Sequence, residues 1–166
     1  TESFGAPDED TATTGLSLEA SQCLYMTVEA GAEAAYTSFT ASDTAYAYFQ
    51  FRLENLPTGT GRSCFEFGNG TDGVAVTFEG GPPWQFKMYS AGEDVSSAGA
   101  NNLSVDTTLY IWFEVEKGTG ANGTARIYFA STSTKPGSPE CTFTTSNDTF
   151  QFSRLTFGND WSGSAG

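Results

Sequence analysis

The stretch of residues 109–131 constrains the fold more than any other part of the sequence. It reads LYIWFEVEKGTGANGTARIYFAS, in which apolar residues alternate with aromatic or charged ones on both sides of a glycine-rich linker. Alternation with a period of two predicts β-strands that have two different faces. The linker GTGANG supplies the glycines that a tight chain reversal needs. We therefore predict an antiparallel hairpin with one apolar face.

Alternating stretches of this kind recur along the whole chain, and none has the period of a helix. The predicted strands are residues 3–4, 23–29, 35–39, 45–53, 64–67, 74–79, 85–90, the two hairpin strands, 141–144 and 150–157, the last bulged near Arg154. Asp8, Glu9 and Asp10 are predicted to lie in a loop. Short strands separated by turns predict an all-β fold, a two-sheet antiparallel sandwich or jelly roll formed by residues 1–166 as a single domain.

Charge excludes several classes of function. The chain has 20 acidic and 7 basic residues, no histidine and a net charge of −13. Binding to nucleic acid or to an anionic membrane needs clustered Lys and Arg, so neither partner is expected. No segment has the roughly 18 apolar residues of a membrane-spanning helix, so membrane insertion is not expected either. The acidic excess serves solubility or, alternatively, the ligation of a cation such as Ca2+.

Cysteines and glycosylation motifs provide evidence on whether the protein is extracellular. Cys23, Cys64 and Cys141 leave two alternatives open, which are three buried thiols or one disulfide with one free thiol. Four N-x-Ser/Thr motifs begin at Asn69, Asn102, Asn122 and Asn147, all in predicted loops or turns. Such positions can carry glycans, which favours an extracellular setting.

The outward sides of four predicted strands carry aromatic, amide and charged side chains. They are Tyr46, Tyr48, Gln50 and Arg52; Gln85, Lys87 and Tyr89; Tyr110, Trp112, Glu114 and Glu116; and Arg126 and Tyr128. If these strands share a sheet, the rings offer a stacking platform to the CH-rich faces of sugars. The alternatives are cross-strand packing, cover by a loop, and a protein–protein contact. We predict polysaccharide binding by Trp112, Tyr110, Tyr48, Arg52, Tyr128 and Glu114.

Two carboxylates deserve separate consideration as catalytic groups. Glu114 and Glu116 are two residues apart on a strand, so both project to one side, about 6.5 to 7 Å apart along it. That spacing permits an inverting glycosidase, but acidic pairs of this kind are also common on solvated strands. Without histidine there is no Ser/His or Cys/His nucleophile. The expectation is that the protein is not an enzyme, with a glycosidase acting through these two residues as the alternative.

Three stretches resemble the concanavalin A-like lectin/glucanase superfamily, in particular its laminin G-like modules. They are AYAYFQFRLENL, TTLYIWFEVEKGTGANGTARIYF and FQFSRLTFGND. The resemblance implies a jelly roll that binds sugars or mediates adhesion, often with Ca2+; some members are glycoside hydrolases or polysaccharide lyases. The chain lacks the Glu-x-Asp-x-(x)-Glu string of the laminarinase-like hydrolases and the histidine expected in the jelly-roll alginate lyases. Both absences favour binding over catalysis.

These observations predict a lectin-like, non-catalytic, extracellular carbohydrate-binding module whose partner is a polysaccharide. The alternatives are a structural or adhesive subunit of a surface layer or filament, and a glycoside hydrolase or lyase of the same fold. Self-association through an open sheet edge is also expected, because an unfilled edge invites strand addition. The resemblance and the acidic loops together predict a structural Ca2+ ion, with Asp8, Asp10 and Asp160 as its protein ligands.

Overall fold

The computed structural model describes residues 2–4, 8–11, 22–25, 34–53, 62–79, 85–90, 103–120, 122–145 and 150–158. All regular secondary structure within these ranges is β-strand. The strands are β1 (Glu2–Phe4), β2 (Asp8–Thr11), β3 (Gln22–Tyr25), β4 (Ala34–Ser42), β5 (Thr44–Arg52), β6 (Arg62–Gly68), β7 (Gly73–Glu79), β8 (Gln85–Ser90), β9 (Thr108–Glu116), β10 (Gly123–Ala130), β11 (Cys141–Thr145) and β12 (Phe152–Gly158). None of the ranges contains a helix long and apolar enough to cross a membrane.

The strands form two large antiparallel sheets and one small pair. The first sheet has six strands in the order β1-β4-β12-β6-β7-β8, and the second has four in the order β11-β10-β9-β5. β2 and β3 form a separate two-stranded sheet. The chain passes from the six-stranded to the four-stranded sheet between β4 and β5, with Asp43 as the only intervening residue. This arrangement confirms the predicted all-β sandwich with two antiparallel sheets.

Phenylalanine rings fill the space between the two large sheets. Phe65 and Phe67 on β6 contact Phe113 on β9, with ring centroids 5.6 and 5.1 Å apart. On the apolar side of the predicted hairpin, Ile111, Phe113, Val115 and Ile127 are buried, and Leu109 and Phe129 are partly buried against the core. Burying one large apolar side chain stabilises a fold by about 1.5 to 3 kcal/mol. The buried rings therefore fix which side of each sheet faces outward.

The predicted hairpin is formed by β9 and β10. In the turn between them, the Asn122 Oδ1 accepts hydrogen bonds from the backbone N–H groups of Thr119 at 2.7 Å and Gly120 at 3.2 Å. β9 pairs with β10 on one side and with β5 on the other, so it lies inside the sheet. The outward side chains of β5, β9 and β10 are therefore held in one register.

Two predictions about the strands do not hold. Asp8, Glu9 and Asp10 lie in β2, which pairs with β3, and not in a loop. Pairing with a partner strand overrides the low strand propensity of Asp. Lys87 and Tyr89 lie on β8, at the edge of the six-stranded sheet, and not beside the hairpin. β8 pairs with its sequence neighbour β7, and alternation alone does not indicate which sheet a strand joins.

The described cysteine side chains are free thiols. Cys64 and Cys141 are both buried and neither forms a disulfide, which confirms free thiols at these two positions. The Cys64 thiol donates a hydrogen bond to the carbonyl oxygen of Val76 at 3.0 Å. Burial raises the pKa of Cys64 well above its ordinary value, because the thiolate would lose its hydration. Only the backbone of Cys23 is described, as part of β3.

Candidate functional site

The outward side of the four-stranded sheet, named here the aromatic face, brings together all six residues of the predicted sugar site. They are Tyr48 and Arg52 on β5, Tyr110, Trp112 and Glu114 on β9, and Tyr128 on β10. Tyr48, Trp112 and Tyr128 lie opposite one another and form a row across three neighbouring strands. The period-two pattern therefore places these side chains on one surface.

The rings of the aromatic face contact one another and remain partly open to solvent. Tyr48 stacks against Trp112 with centroids 5.1 Å apart and against Tyr110 with centroids 6.4 Å apart. Tyr48 is 49% exposed, and Tyr46, two residues earlier on the same side of β5, is 84% exposed. Cross-strand packing accounts for the contacts between rings, but it leaves these exposed ring surfaces without a role.

A lysine that no sequence pattern singles out also lies on the aromatic face. Lys135, in the loop after β10, forms an ion pair with Glu114, and its Nζ lies 3.9 Å from the centre of the Tyr128 ring. Tyr128 is only 9% exposed as a result of its packing. Two of the six predicted residues are thus contacted by this lysine. Residues 131–138 lack periodicity, so the sequence gives no signal that the loop returns to the sheet.

Arg52 lies at the end of the aromatic face, where β5 stops. Its Nη2 lies 2.8 Å from Oδ1 of Asp106, in an ion pair in which the arginine side chain is 27% exposed. The loop from Leu103 is held to the same strand end, because the Asp106 N–H donates to the carbonyl oxygen of Leu53 at 2.8 Å. Arg52 therefore fixes the rim of the face as well as presenting a guanidinium group.

The predicted calcium ligands fall largely outside the described residues. Asp160 lies beyond residue 158, and Asp8 and Asp10 lie in β2, of which the backbone alone is described. Among the side chains that the structure does describe, no group of three or more His, Cys, Asp or Glu residues is placed to hold a metal ion. Calcium binding by these three residues stays a prediction.

The outward side of the six-stranded sheet, named here the charged face, carries a second set of functional groups. One row crosses five strands through Tyr36 on β4, Thr156 on β12, Glu66 on β6, Ala75 on β7 and Tyr89 on β8. Neighbouring strands lie about 4.8 Å apart, so the row spans about 19 Å. Within the row, Thr156 and Ala75 are buried, and Tyr36, Glu66 and Tyr89 are partly exposed.

Arg154 supplies a cation at one end of the charged face. Its guanidinium carbon lies 4.4 Å from the centre of the Tyr36 ring, and its Nε donates a hydrogen bond to Thr156 Oγ1 at 3.0 Å. The register of β12 shifts between Phe152 and Arg154, which confirms the bulge predicted there. A bulge re-aims the side chains that follow it. The bulge thus accompanies the placement of the Arg154 guanidinium group over the Tyr36 ring.

Lys87 supplies a cation at the other end, on the edge strand β8. Its Nζ lies 5.0 Å from the centre of the Tyr89 ring. Sequence reasoning identifies both residues as outward-facing but groups them with the aromatic face. It names Arg154 only as the place of a bulge, and it does not single out Tyr36 or Glu66. The pairing of β12 with β4 and with β6 brings these side chains together, and β12 is distant in sequence from both strands.

Small residues occupy the middle of the charged face. Gly68 and Gly73 lie opposite each other on β6 and β7, and Ala75 follows two residues later. A Cβ atom at Gly73 would overlap the carboxylate of Glu66, so the glutamate side chain lies across this glycine. Ala75 is fully buried, whereas Lys87 and Arg154 are partly exposed. The centre of the face is therefore closely packed and its two cationic ends are accessible.

Neither a family model nor a curated protein matches the chain. Among solved structures it resembles that of alginate lyase Aly36B, with a TM-score of 0.54, 16% identity and 77% of this chain covered. It also resembles a variant of that lyase in which a lysine and a tyrosine are replaced by alanine and an alginate tetrasaccharide is bound. For this variant the TM-score is 0.51, the identity is 17%, and 81% of this chain is covered. The chain spans 64% and 66% of the length of those two chains. At this identity the likeness shows a shared sandwich fold.

This likeness corrects the predicted function. The sequence predicts a non-catalytic module and no enzyme, whereas the matched structures are those of a lyase. That prediction is wrong, and its weak step is the weight given to the missing histidine. Lysine and tyrosine also act as general acids and bases, so the absence of histidine does not exclude proton transfer.

Proposed function

We propose that this protein is a polysaccharide lyase that cleaves a uronate-containing polysaccharide on its charged face. One observation carries the proposal: two cation–tyrosine pairs, Arg154 with Tyr36 and Lys87 with Tyr89, lie on one side of one sheet. The fold likeness to an alginate lyase supports it independently of these residues.

β-Elimination at a uronate sugar makes three chemical demands. Negative charge that develops on the carboxylate must be stabilised, a proton must leave the carbon beside it, and a proton must reach the departing oxygen. The bond from carbon to the glycosidic oxygen breaks as a carbon–carbon double bond forms. Neither water nor a redox partner is consumed. Cations and a proton-transferring side chain are therefore sufficient, and the charged face offers both.

We assign the reacting centre to β8. Tyr89 moves the proton from the sugar carbon to the leaving oxygen, and Lys87 stabilises the developing charge on the carboxylate. The two residues lie two positions apart on one strand, and ammonium and ring are 5.0 Å apart, so both reach one sugar. In the matched complex, a lysine and a tyrosine of the lyase were replaced by alanine, which supports the choice of these residue types.

Arg154 has a different role in the proposal. It lies three strands from β8, which is about 14 Å across the sheet, too far to share one sugar with Tyr89. Guanidinium groups bind carboxylates through two parallel N–H bonds. Arg154 would therefore hold the carboxylate of another sugar along the same chain. In a protein with a net charge of −13, two cations on one face also provide a local attraction for an acidic polymer.

The test is to incubate the protein with alginate and other polyuronates and to follow the ultraviolet absorbance of the unsaturated product. Tyr89→Phe should lower the rate roughly 100-fold or more, as loss of a proton-transfer group does. Lys87→Ala should lower it by a similar factor, because it removes the charge that stabilises the developing negative charge on the carboxylate. Lys135→Ala and Tyr128→Phe are matched controls, because they remove the lysine–tyrosine pair of the opposite face. These controls should retain the activity.

Two outcomes overturn the proposal. The first is a folded wild-type protein that releases no unsaturated product from any polyuronate of the panel. The second is a loss of activity in Lys135→Ala and Tyr128→Phe that equals the loss in Lys87→Ala and Tyr89→Phe. Thermal unfolding of each variant separates a lost reaction from a lost fold.

We further propose that residues 1–166 form one extracellular domain of the concanavalin A-like superfamily. The sandwich likeness supports the superfamily, and two glycosylation motifs support the location, since Asn69 and Asn122 are exposed. A structural Ca2+ ion held by Asp8, Asp10 and Asp160 belongs to the same proposal. Chelation should then lower the melting temperature, because a metal that binds only the folded state stabilises it. An unchanged melting temperature would remove the ion from the proposal.

A further inference from the structure

The aromatic face has exposed rings that the proposed reaction does not use. Tyr46 and Tyr48 point to the same side of β5, about 6.5 to 7 Å apart along the strand. They are 84% and 49% exposed, and Tyr46 makes no hydrogen bond or ring contact with the described residues. Trp112 and Tyr110 extend this surface onto the neighbouring strand through their contacts with Tyr48. The result is a surface with four aromatic side chains on one side of two neighbouring strands.

Charges on the aromatic face cancel, unlike those of the whole chain. Three cations and three carboxylates lie on it or at its rim, namely Arg52, Arg126 and Lys135, with Asp106, Glu114 and Glu116. Two of these cations already form ion pairs with carboxylates, and Arg126 lies opposite Glu114 in the sheet register. A charged polymer would have to displace these pairs, whereas a neutral one would not. The surface therefore complements an uncharged ligand.

From these observations we infer that the aromatic face binds a neutral polysaccharide as an accessory surface, on the opposite side of the sandwich from the charged face. The rings of Tyr46, Tyr48 and Trp112 stack against the CH-rich faces of successive sugars. Neighbouring polar groups, including the Arg126 guanidinium, donate hydrogen bonds to their hydroxyls. The inference stands whether or not the charged face is catalytic, since the two surfaces share no residue.

The experiment measures binding of the whole chain to neutral soluble polysaccharides by titration calorimetry, with a β-glucan, a xylan and a mannan as probes and alginate for comparison. Wild type should bind at least one neutral probe, and a Tyr46→Ala/Tyr48→Ala double variant should bind it at least tenfold more weakly. Lys87→Ala, on the charged face, is the matched control and should bind the neutral probe as wild type does. Added NaCl should leave this binding almost unchanged, since no net charge is involved.

The inference is overturned if the folded wild type binds none of the neutral probes. It is also overturned if Lys87→Ala weakens neutral binding as much as the double tyrosine variant. Light scattering tests a second copy of the chain as the occupant instead: a wild-type dimer that the double variant converts to monomers would assign the rings to self-association. Trp112→Phe, which keeps an aromatic ring, should bind more tightly than Trp112→Ala; equal binding by the two would contradict stacking at this position.

Discussion

The two outward surfaces of the sandwich share one core but differ in chemistry. On the aromatic face, rings contact one another and opposite charges cancel in pairs such as Lys135 with Glu114. On the charged face, the cations Lys87 and Arg154 each lie against a tyrosine at opposite ends of a closely packed centre. Stacking surfaces suit the binding of a polymer, whereas cations beside proton-transferring groups suit its cleavage. One scaffold thus presents two surfaces of different chemistry back to back.

The largest expected difference between the faces comes from their arginines. Removing Arg154 should lower kcat/KM on a polyuronate by an amount that corresponds to about 1.5 to 3 kcal/mol, the usual contribution of hydrogen bonds to a charged group. Arg126→Ala, on the aromatic face, should leave kcat/KM unchanged. Steady-state kinetics on both variants measures the effect. Because Arg154 is proposed to bind the substrate rather than to react with it, most of the change should be in KM.

An equal effect of the two arginine variants would break the comparison. If Arg126→Ala lowered kcat/KM as much as Arg154→Ala, the acidic polymer would lie on the aromatic face. Arg154→Lys provides a further control, because lysine keeps the charge but lacks the planar pair of donors. Recovery of less than the full activity in Arg154→Lys indicates bidentate binding of a carboxylate.

The second test concerns the packing of the two surfaces. Gly73→Ala should destabilise the protein by about 1 to 3 kcal/mol, because the new Cβ overlaps the Glu66 side chain at the centre of the charged face. Gly120→Ala, in the hairpin turn beside the aromatic face, meets no atom within 4 Å and should be nearly neutral. Urea unfolding of both variants gives the comparison. Combining Gly73→Ala with Glu66→Ala should recover part of the loss; purely additive effects would contradict this explanation.

Sequence reasoning succeeds where the physical signal is local. Alternation fixes the buried side of β9 and β10, so Ile111, Phe113 and Ile127 are predicted to be inside, and they are. The same pattern places Tyr110 and Trp112 on one outward surface, and Tyr48 joins them because β5 pairs with β9. This prediction succeeds because a strand with one apolar and one polar side can be buried only with its apolar side toward the core.

The charged face escapes prediction because long-range pairing assembles it. Tyr36, Glu66 and Thr156 form one row only because β12 lies between β4 and β6, strands that precede it by tens of residues. No pattern within any one strand specifies this order. Lys135 is missed for a similar reason, since its loop has no periodicity and contacts Glu114 only after the sheet has formed. Such contacts depend on topology, which a single alternating pattern does not encode.

The core between the two faces gives the third prediction, a dependence of stability on pH. In the folded protein, burial keeps the Cys64 thiol protonated well beyond its ordinary pKa of 9.0, whereas in the unfolded chain it ionises near that value. Below this pH the thiol is protonated in both states and contributes no difference. Above it, the free energy of unfolding should fall by about 1.4 kcal/mol per pH unit through this group alone.

Urea unfolding between about pH 8 and pH 10 measures the effect, with Cys64→Ala as the reference that removes the thiol. Other groups that titrate in this range contribute to both proteins, so the difference between the two slopes isolates Cys64. Identical slopes would contradict a protonated thiol in the folded core. The variants on the aromatic and charged faces should show the same change of unfolding free energy with pH as the wild type. That result would also verify that their losses of activity or binding do not come from a loosened core.

The smallest effect is expected from the ion pair that lies on the aromatic face. Lys135→Ala should destabilise the fold by less than about 1 kcal/mol, because both partners are roughly one-third exposed and such pairs are weak in water. The loss should shrink further in high salt, leaving the contact with the Tyr128 ring as the remainder. Lys117→Ala, which removes the comparable pair with Asp43, is the control for a charge lost at the hairpin end. If Lys135→Ala lowered the free energy of unfolding several times more than this, the loop would be an integral part of the packing around Tyr128. That result would favour packing over ligand binding for this part of the aromatic face.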